Sequence, residues 1–223
     1  QLPEPFNPEH LTSVEIGAKY SALSNRFFIS AAAFYSFYND VQLTTTGMSS
    51  NGVLTVDTRN AGDARIYGAE IDFRLTPLAG FWISGFIGST SFRYVRLNKG
   101  VDGVSFASKR AFVPSFNGKL GLSYEWKIGP RYMARLQADA NYSGGMYMEE
   151  TNDPALFQKA HALVNLQASI RDIDRGLELS AFVTNLTNYA HLVTGLSLRS
   201  SLGTVEGTYG RPREWGLAIK AHL

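Results

Sequence analysis

The segment RYMARLQADANY, residues 131–142, alternates between two kinds of side chain. One set is apolar or aromatic and consists of Tyr132, Ala134, Leu136, Ala138, Ala140 and Tyr142. The other set is mostly charged or polar and consists of Arg131, Met133, Arg135, Gln137, Asp139 and Asn141. A period of two residues is that of a β-strand with two chemically different faces. This segment therefore predicts a long amphipathic strand.

The same alternation recurs along most of the chain. It is clearest in NGKLGLSYEWKI (117–128), AEIDFRL (69–75) and LVNLQASIR (163–171). We predict nine strands, at 12–21, 26–43, 64–76, 80–96, 112–128, 131–147, 160–172, 176–188 and 208–223. Many of them have ten residues or more, which is enough to cross a bilayer, since a tilted strand needs about 9–11.

The predicted connections alternate in length. Short turns are expected at 23–25, 78–80, 129–130 and 174–176, and long polar links at 44–63, 97–111, 148–159 and 189–207. Outer-membrane barrels have short periplasmic turns and long outer loops. Aromatic residues also gather near predicted strand ends, as in the two interfacial girdles of such barrels: Phe81, Trp82, Tyr124, Trp126, Tyr132 and Tyr142. The pattern predicts an all-β, antiparallel transmembrane β-barrel, with a lipocalin-like or sandwich fold as the alternative.

Composition excludes several other classes. No run approaches the roughly 18 apolar residues of a membrane helix, and a net charge of +2 gives no reason to expect a nucleic-acid partner. Cysteine is absent, which excludes a disulfide scaffold and thiolate metal sites. The first residue is Gln1, so we expect any export signal to have been removed or to lie upstream.

Several segments together resemble the barrels of TonB-dependent outer-membrane receptors. The first three are FNPEHLTSVEIGAKY (6–20), RFFISAAAFYSFYNDVQ (26–42) and NAGDARIYGAEIDF (60–73). The matching residues there are Pro8-Glu9, Glu15, Gly17 and Lys19, Phe34-Tyr35, Tyr38-Asn39-Asp40, Asn60-Ala61-Gly62, and Gly68 with Glu70. Two later segments also match, LELSAFVTNLTNYAH (177–191) through Val183 and Asn185-Leu186-Thr187-Asn188, and GRPREWGLAIKAHL (210–223) through Gly210-Arg211-Pro212-Arg213.

The resemblance implies a plugged barrel of the 22-stranded type and a plug domain that engages TonB. We therefore predict that residues 1–223 are the C-terminal portion of such a barrel, about nine strands, with no plug domain in this chain. Bacterial single-chain barrels have an even number of strands. The remaining strands and the plug are accordingly expected in another polypeptide or upstream in the same gene product.

The candidate ligand-facing residues lie in the predicted outer rim. They are Arg93, Tyr94, Arg96, Lys109 and Arg110, the most basic group in the predicted outer region. Such a rim could attract an anionic ligand such as a ferric chelate, pair with lipopolysaccharide phosphates, or pair with acidic loops. The acidic residues Glu149, Glu150 and Asp153 are expected in an outer loop, either solvated or holding a divalent cation. The four histidines show no metal-ligand spacing, and no catalytic motif, cofactor site or metal site is predicted.

The closing stretch GRPREWGLAIKAHL alternates to the last residue. We predict that Trp215, Leu217, Ile219 and Leu223 face lipid and form the strand that closes and helps assemble the barrel. Lys220 and His222 are then expected to point into the lumen. This strand would pair with the first strand of the complete barrel.

The predicted function is that of a non-enzymatic part of an outer-membrane transporter that imports a scarce nutrient, such as a ferric siderophore or another large solute. The expected partners are outer-membrane lipid and lipopolysaccharide, the remaining strands and plug, and TonB through that plug, with no nucleic acid. The alternative is a structural or half-barrel subunit of an outer-membrane assembly that does not itself transport. An outer-membrane enzyme would need a nucleophile and base facing each other, and no such pair is evident.

Overall fold

The computed structural model describes residues 5–48, 52–99, 101 and 103–221, and these are dominated by antiparallel strands. The strands are β1 (His10–Ala22), β2 (Phe27–Met48), β3 (Leu54–Leu78), β4 (Phe81–Leu97), β5 (Phe116–Ile128), β6 (Tyr132–Ser143), β7 (Met146–Tyr147), β8 (Phe157–Gln158), β9 (His161–Asp172), β10 (Leu177–Thr184), β11 (Leu192–Leu198), β12 (Thr204–Tyr209) and β13 (Glu214–Ala221). A 3₁₀ turn covers Pro154–Leu156 and a four-residue helix covers Arg199–Leu202. No described helix is long and apolar enough to span a membrane.

Nine strands form a single antiparallel sheet in the order β1-β2-β3-β4-β5-β6-β9-β10-β13. Each long strand pairs with the next long strand along the chain, so short turns lie at one end of the sheet and long links at the other. The edges of this sheet are β1 and β13. The predicted nine-stranded, all-β antiparallel architecture is confirmed.

Two predicted loops contain regular structure. The link predicted at 44–63 is largely strand, because β2 and β3 continue as a two-stranded ribbon beyond the rest of the sheet. Thr44 and Thr58 lie opposite each other there, with their hydroxyl oxygens 2.9 Å apart, and cross-strand threonine pairs of this kind stabilise β structure. The link predicted at 189–207 holds the separate hairpin of β11 and β12. The last two predicted sheet strands are correspondingly shorter.

The sheet has an apolar face and a polar face. Directly paired residues share a face, and the pairing places Leu75, Ile83, Leu122, Ala138, Leu166, Val183 and Trp215 in one continuous row across seven strands. Large side chains on this face are exposed, for example Leu136 at 51%. Soluble sheets bury such a face, whereas a barrel wall presents it to lipid.

Aromatic residues border the apolar face at both ends. Near the long links are Tyr35, stacked on Tyr67, and Phe116, edge-on to Tyr142. Near the short turns are Phe81, Tyr124, Trp126 and Tyr132, of which Tyr124 stacks on Trp126. The ten residue-to-residue steps from Tyr132 to Tyr142 span about 33 Å of strand, or about 25 Å along the membrane normal at a tilt of about 40°, the height of the apolar band in outer-membrane barrels.

One aromatic prediction is wrong in its placement. Trp82 pairs with Ser123 and therefore lies on the polar face, while its neighbour Phe81 pairs with Tyr124 on the apolar face. The sequence offers two adjacent aromatic residues, and alternation allows only one of them to join the girdle.

Gly68 lies on the polar face, and the space above it is occupied by the ring of Phe34. A Cβ atom at Gly68 would come within 2.8 Å of Phe34 Cζ and within 2.2 Å of the Ser89 carbonyl oxygen. These residues come from three adjacent strands, since Gly68 pairs with Phe34 on β2 and with Thr90 on β4. The glycine is thus required by close packing of β2, β3 and β4.

We predict that Gly68→Ala destabilises the sheet by roughly 1–3 kcal/mol, the usual cost of overpacking. The added methyl group cannot be accommodated by side-chain rotation alone, because one of the atoms it meets is backbone. The free energy of unfolding in urea, followed in lipid micelles, measures the effect. Gly17→Ala is the matched control, since its new Cβ atom meets its nearest neighbour only at 3.1 Å, and equal stability of the two variants would contradict the prediction.

Candidate functional site

The end of the sheet that carries the long links begins with a bulged junction of β2, β3 and β4. Asp40 has a positive φ of 53°, and the register of β2 against β3 shifts between Tyr38 and Val41. Opposite this bulge, the Asn60 side-chain amide donates to the Asp40 carbonyl oxygen at 2.7 Å. The two sequence motifs Tyr38-Asn39-Asp40 and Asn60-Ala61-Gly62 are therefore the two sides of one bulge.

Gly62 and Arg96 complete the junction. Gly62 has a φ of 144°, and a Cβ atom there would lie 2.0 Å from the Arg96 carbonyl oxygen. Arg96 donates from Nε and Nη2 to the two carboxylate oxygens of Asp63 at 2.7 and 2.9 Å. Bidentate pairs of this kind fix both partners in orientation, so Arg96 holds β4 against β3.

A small apolar core lies over this junction. It consists of Val41, Leu43, Ala61, Ala64 and Tyr94, each 3% exposed or less. Phe92, Val101 and Val104 pack against it. The ribbon of β2 and β3 is thus anchored to β4 and to the link that follows β4.

The 3₁₀ turn is tied to the β11–β12 hairpin through Asp153. The Asp153 carboxylate caps the turn by accepting from the Ala155 backbone N–H at 2.9 Å. The same group accepts from Arg199 Nε at 2.9 Å and from the Ser197 hydroxyl at 2.6 Å. Hydrogen bonds from Arg199 and Ser197 hold the pKa of this carboxyl at about 2.

The other two acidic residues of this link also have internal partners. Glu149 accepts from the Asp153 backbone N–H at 2.7 Å, and Glu150 pairs with Arg110 at 3.3 Å. Burial raises the pKa of the Glu150 carboxyl, and the Arg110 charge opposes that rise. In the described part of the chain, no group of three or more His, Cys, Asp or Glu is arranged to hold a metal ion.

The motif Asn185-Leu186-Thr187-Asn188 forms the corner where β10 leaves the sheet. Asn185 and Asn188 have positive φ angles of 46° and 53°, a conformation that asparagine tolerates better than most residues. The Asn185 side-chain amide donates to the carbonyl oxygens of Tyr189 and Arg211 at 3.0 and 3.1 Å. One buried side chain thus fastens both ends of the link between β10 and β13.

Two histidines that are distant in sequence meet beside this corner. The rings of His161 and His191 stack with centroids 5.1 Å apart, and Tyr189 stacks on His161 at 5.3 Å. This cluster was not predicted, because nothing in the spacing of the two histidines along the sequence indicates the contact.

The polar face below these links carries paired charges and amides. Arg135 donates from Nε to Glu125 at 2.9 Å, directly across β5 and β6. Further toward the links, the Asn165 side-chain amide donates to Asp139 at 2.8 Å, and its oxygen accepts from the Asn185 backbone N–H at 2.9 Å. Lys220 lines a hollow on this face together with Glu125 and Arg135. This polar wall can contact water or a solute.

The sequence matches the family described as TonB dependent receptor-like, β-barrel, over residues 2–186. The chain belongs to this family. The resemblance inferred from the sequence motifs is confirmed, and the family places the chain in the bacterial outer membrane as barrel wall. A search of curated proteins found no match.

Solved structures of receptor barrels share the fold. The ferric yersiniabactin uptake receptor FyuA from Yersinia pestis is 19% identical, with a TM-score of 0.77 over 97% of this chain and 30% of that one. The ferric-catecholate import receptor Fiu from E. coli K12 is 19% identical, with a TM-score of 0.68 over 96% and 27%. The copper transporter OprC is 15% identical, with a TM-score of 0.70 over 95% and 32%. This chain therefore spans about a third of the length of these proteins or less.

The five residues predicted to form an outer rim occupy three different environments. Tyr94 is buried in the core over the junction, and Arg96 is held by Asp63. Arg93, Lys109 and Arg110 instead line one cavity of about 490 Å³. The prediction placed all five in one rim, whereas the structure brings only these three together around a cavity.

A β-bulge explains why Arg96 and Tyr94 lie on different faces of β4. Ala64 pairs with Tyr94 but Asp63 pairs with Arg96, so Val95 is an extra residue in β4. The insertion reverses the alternation beyond it, and Arg96 consequently lies on the opposite face from Tyr94. Simple alternation would have placed the two side chains together.

The last described strand of the chain, β13, carries a row of highly exposed apolar side chains. Trp215, Leu217 and Ile219 are 80%, 74% and 79% exposed and pair with Val183, Ala181 and Leu179 on the apolar face. Leu223 and His222, which were predicted to extend this pattern, lie outside the described residues.

We predict that Asp153→Asn loosens the β11–β12 hairpin, because the neutral amide loses the charge-assisted bonds from Arg199 and one acceptor oxygen. Limited proteolysis within 195–209 should become several-fold faster. Glu206→Gln is the matched control, since it removes one carboxylate from the same hairpin outside the Asp153 cluster. Equal cleavage rates for the two variants would contradict the role of Asp153.

The same carboxylate predicts an acid sensitivity of the wild-type hairpin. The folded-state pKa of Asp153 is about 2, below its usual value of 3.8, so its stabilising contribution is complete above about pH 4 and is lost as the pH falls toward 2. Protection of hairpin amides from hydrogen exchange should fall over this interval in the wild type. Asp153→Asn should show no such additional loss.

Proposed function

We propose that this chain is the C-terminal portion of an outer-membrane receptor that imports a scarce nutrient, with a ferric siderophore as the first candidate. The observation that carries the proposal is the family match over residues 2–186. Two similar structures are described as receptors for ferric yersiniabactin uptake and ferric-catecholate import, and a third as a copper transporter. Ferric chelates and copper are both scarce metal nutrients, but they differ in size and charge.

The geometry supports a role as the wall of a passage. One face of the sheet is apolar over the height of a bilayer, while the other carries hydrogen-bonded charges such as Glu125, Arg135 and Asp139. Such a face keeps water and a polar solute in contact with fixed donors and acceptors. Links packed at one end through Asp40, Asp153 and Asn185 form the rim through which a solute would enter.

The transport role requires partners beyond residues 1–223. We propose that β1 and β13 each pair with further strands of a complete barrel of the 22-stranded type, in which this chain supplies about nine strands. A plug domain would lie against the polar face and engage TonB. The apolar row of Trp215, Leu217, Ile219 and Leu223 would face lipid and form the closing strand, and lipopolysaccharide would surround the outer rim.

No covalent chemistry is assigned to the chain. The family consists of receptors and transporters, and transport of this kind changes the location of a solute and not its bonds. Recognition would therefore depend on noncovalent contacts in the rim and the passage, with no resident cofactor. The energy for release would come through TonB, acting on the proposed plug.

The proposal predicts a specific uptake defect in a deletion strain. Growth and accumulation should be measured on a panel of ferric siderophores, copper, cobalamin and glycans, each as the limiting source. We expect loss of uptake for one class of cargo and its recovery when the intact gene is restored.

Two controls distinguish energy-coupled transport from a purely structural role. Restoring the gene in a strain without TonB should fail to recover uptake, because energy coupling is absent. Unchanged uptake of every cargo in the deletion strain, together with loss of an outer-membrane assembly, would contradict transport and favour the structural-subunit alternative.

A further inference from the structure

We propose that His161 and His191 form a reversible binding site for a divalent transition-metal ion. The site lies at the end of the polar face that carries the long links. Each imidazole supplies one ligand through its Nε2 atom, and water occupies the remaining positions on the ion. The site depends only on the placement of these side chains and their backbone, and not on the transport proposal.

The fold brings the two imidazoles to a separation that one ion can bridge. His161 is the first residue of β9, and His191 lies in the link between β10 and β13, directly before β11. Their ring centroids are 5.1 Å apart. With metal–nitrogen bonds of about 2.0–2.1 Å and a tetrahedral angle, two imidazole centroids on one ion lie about 5 Å apart. The ring planes are inclined by 25°, and the broad χ2 torsion of histidine allows both Nε2 atoms to turn toward one ion.

The hydrogen bonds of both rings leave Nε2 available. His161 Nδ1 lies 3.2 Å from the Lys159 carbonyl oxygen, and His191 Nδ1 lies 3.4 Å from the Tyr189 carbonyl oxygen. A carbonyl oxygen can only accept, so these contacts assign the proton to Nδ1 and the lone pair to Nε2 in both rings. Metal-binding histidines are oriented in the same way, by a bond from the ring nitrogen that does not bind the metal. Among the residues that the structure describes, neither Nε2 atom has a hydrogen-bond partner.

Gln158 joins the backbone segments on which the two histidines are carried. Its Nε2 lies 3.4 Å from His161 Nδ1, but it donates to the Lys159 carbonyl oxygen at the shorter distance of 2.6 Å. Its Oε1 accepts from the Leu192 backbone N–H, also at 2.6 Å. The start of β9 is thereby connected to the residue that follows His191, so the separation of the two rings is fixed by backbone contacts.

The segment that carries His191 is also held from its other side. The Gly210 backbone N–H donates to the His191 carbonyl oxygen at 2.8 Å, and the Asn185 amide donates to the Tyr189 carbonyl oxygen at 3.0 Å. A Cβ atom at position 210 would lie 2.3 Å from His191 Nε2. Glycine at this position therefore keeps space beside the ligand atom, and the anchored backbone leaves little to be ordered when an ion binds.

The register places the pair on the polar face of the sheet. His161 pairs with Ser143, and Asn165, four residues further along β9, pairs with Asp139. Residues an even number of positions apart share a face of a strand, so His161 lies on the same face as Asn165 and Asp139. Both imidazoles are half-buried. An ion can therefore reach them from the water on that face and not from lipid.

The donor atoms determine the class of ion. Two neutral nitrogen ligands favour Cu²⁺, Ni²⁺ and Zn²⁺ over Ca²⁺ and Mg²⁺, which prefer oxygen. In the part of the chain that the structure describes, no group of three or more His, Cys, Asp or Glu surrounds an ion position, so the site has two protein ligands and open positions for water. Among the three favoured ions, Cu²⁺ is expected to bind most tightly.

The test is a Cu²⁺ titration of the protein purified from outer membranes in the form in which it occurs there. Calorimetry gives the affinity, and the electron paramagnetic resonance spectrum of the bound Cu²⁺ reports coordination by imidazole nitrogen. Loss of a partner that only orients a ligand already weakens metal binding about 10–100-fold. We therefore expect His161→Gln and His191→Gln each to weaken Cu²⁺ binding at least roughly a hundredfold. The double variant should be little weaker than either single variant, because one imidazole alone does not chelate.

Matched variants separate the two ligands from other histidines and from the fold. His10→Gln removes an exposed histidine from β1 and should leave the affinity unchanged. Gly210→Ala keeps both imidazoles but obstructs the space beside His191 Nε2, so it should also weaken binding. Heat-modifiable migration of each variant shows that the barrel is intact.

A second measurement does not depend on the affinity. An ion held by both imidazoles joins β9 to the link that follows β10, and a ligand that binds only the closed arrangement stabilises it. Cu²⁺ should therefore slow limited proteolysis within 192–209 in the wild type and in His10→Gln. It should give no such protection in His161→Gln or His191→Gln.

Three results would overturn the inference. One is equal Cu²⁺ affinity in His161→Gln, His191→Gln and His10→Gln. Another is a small loss in each single variant that simply adds in the double variant, which would indicate independent weak binding to separate side chains. The third is faster proteolysis of both variants with unchanged Cu²⁺ binding, which would assign the pair a purely structural role. Failure of every uptake assay would contradict the transport proposal but would not alter the titration, and normal uptake by His161→Gln would leave transport standing.

Discussion

A strand that crosses a bilayer has no water to satisfy its backbone N–H and C=O groups, so each must find a partner in a neighbouring strand. This constraint explains the length and regularity of the sheet. From His10 to Ala22, β1 pairs with β2 without interruption. In the same way, β5 pairs with β6 from the pair Asn117–Ser143 to the pair Ile128–Tyr132. Deviations from regular pairing are concentrated where β2, β3 and β4 approach the long links, beyond the aromatic girdle. There, the side chains of Asn60 and Asp63 form hydrogen bonds in place of the backbone hydrogen bonds that are lost at the bulge.

The same constraint determines how much of the fold could be predicted from sequence. Regular pairing forces side chains to alternate between lipid and the interior, so segments such as 131–142 and 117–128 reveal strand, face and approximate length. The short turns follow for the same reason. Strand ends are less predictable, because beyond the membrane the apolar face is no longer required. The ribbon around Thr44 and Thr58 is therefore polar, and it was predicted as a loop.

The candidate site was less predictable, because it depends on contacts between residues far apart in the chain. A single inserted residue, Val95, moves Arg96 to the other face and into the Asp63 pair. The sequence motifs at Asp40, Asn60 and Asn185 could be recognised as family features, and asparagine could be expected at a strand end. Their role in holding strands and links together is evident only from the strand register, which brings residues distant in sequence into contact. The His161–His191 stack depends on the course of the long link and has no sequence signal.

The three links after β4 behave as one packed body. Lys109 and Asn152 join the link that follows β4 to the link that follows β6. Asp153 joins the latter to the β11–β12 hairpin through Arg199, and Gln158 does so again by accepting from the Leu192 backbone N–H at 2.6 Å. Asn152, which contacts Lys109, is the neighbour of Asp153 in the chain, so the Lys109 contact and the Asp153 contact support the same link. The long links therefore share their supports, and removal of the Asp153 bonds should loosen the link that follows β6 as well as the hairpin.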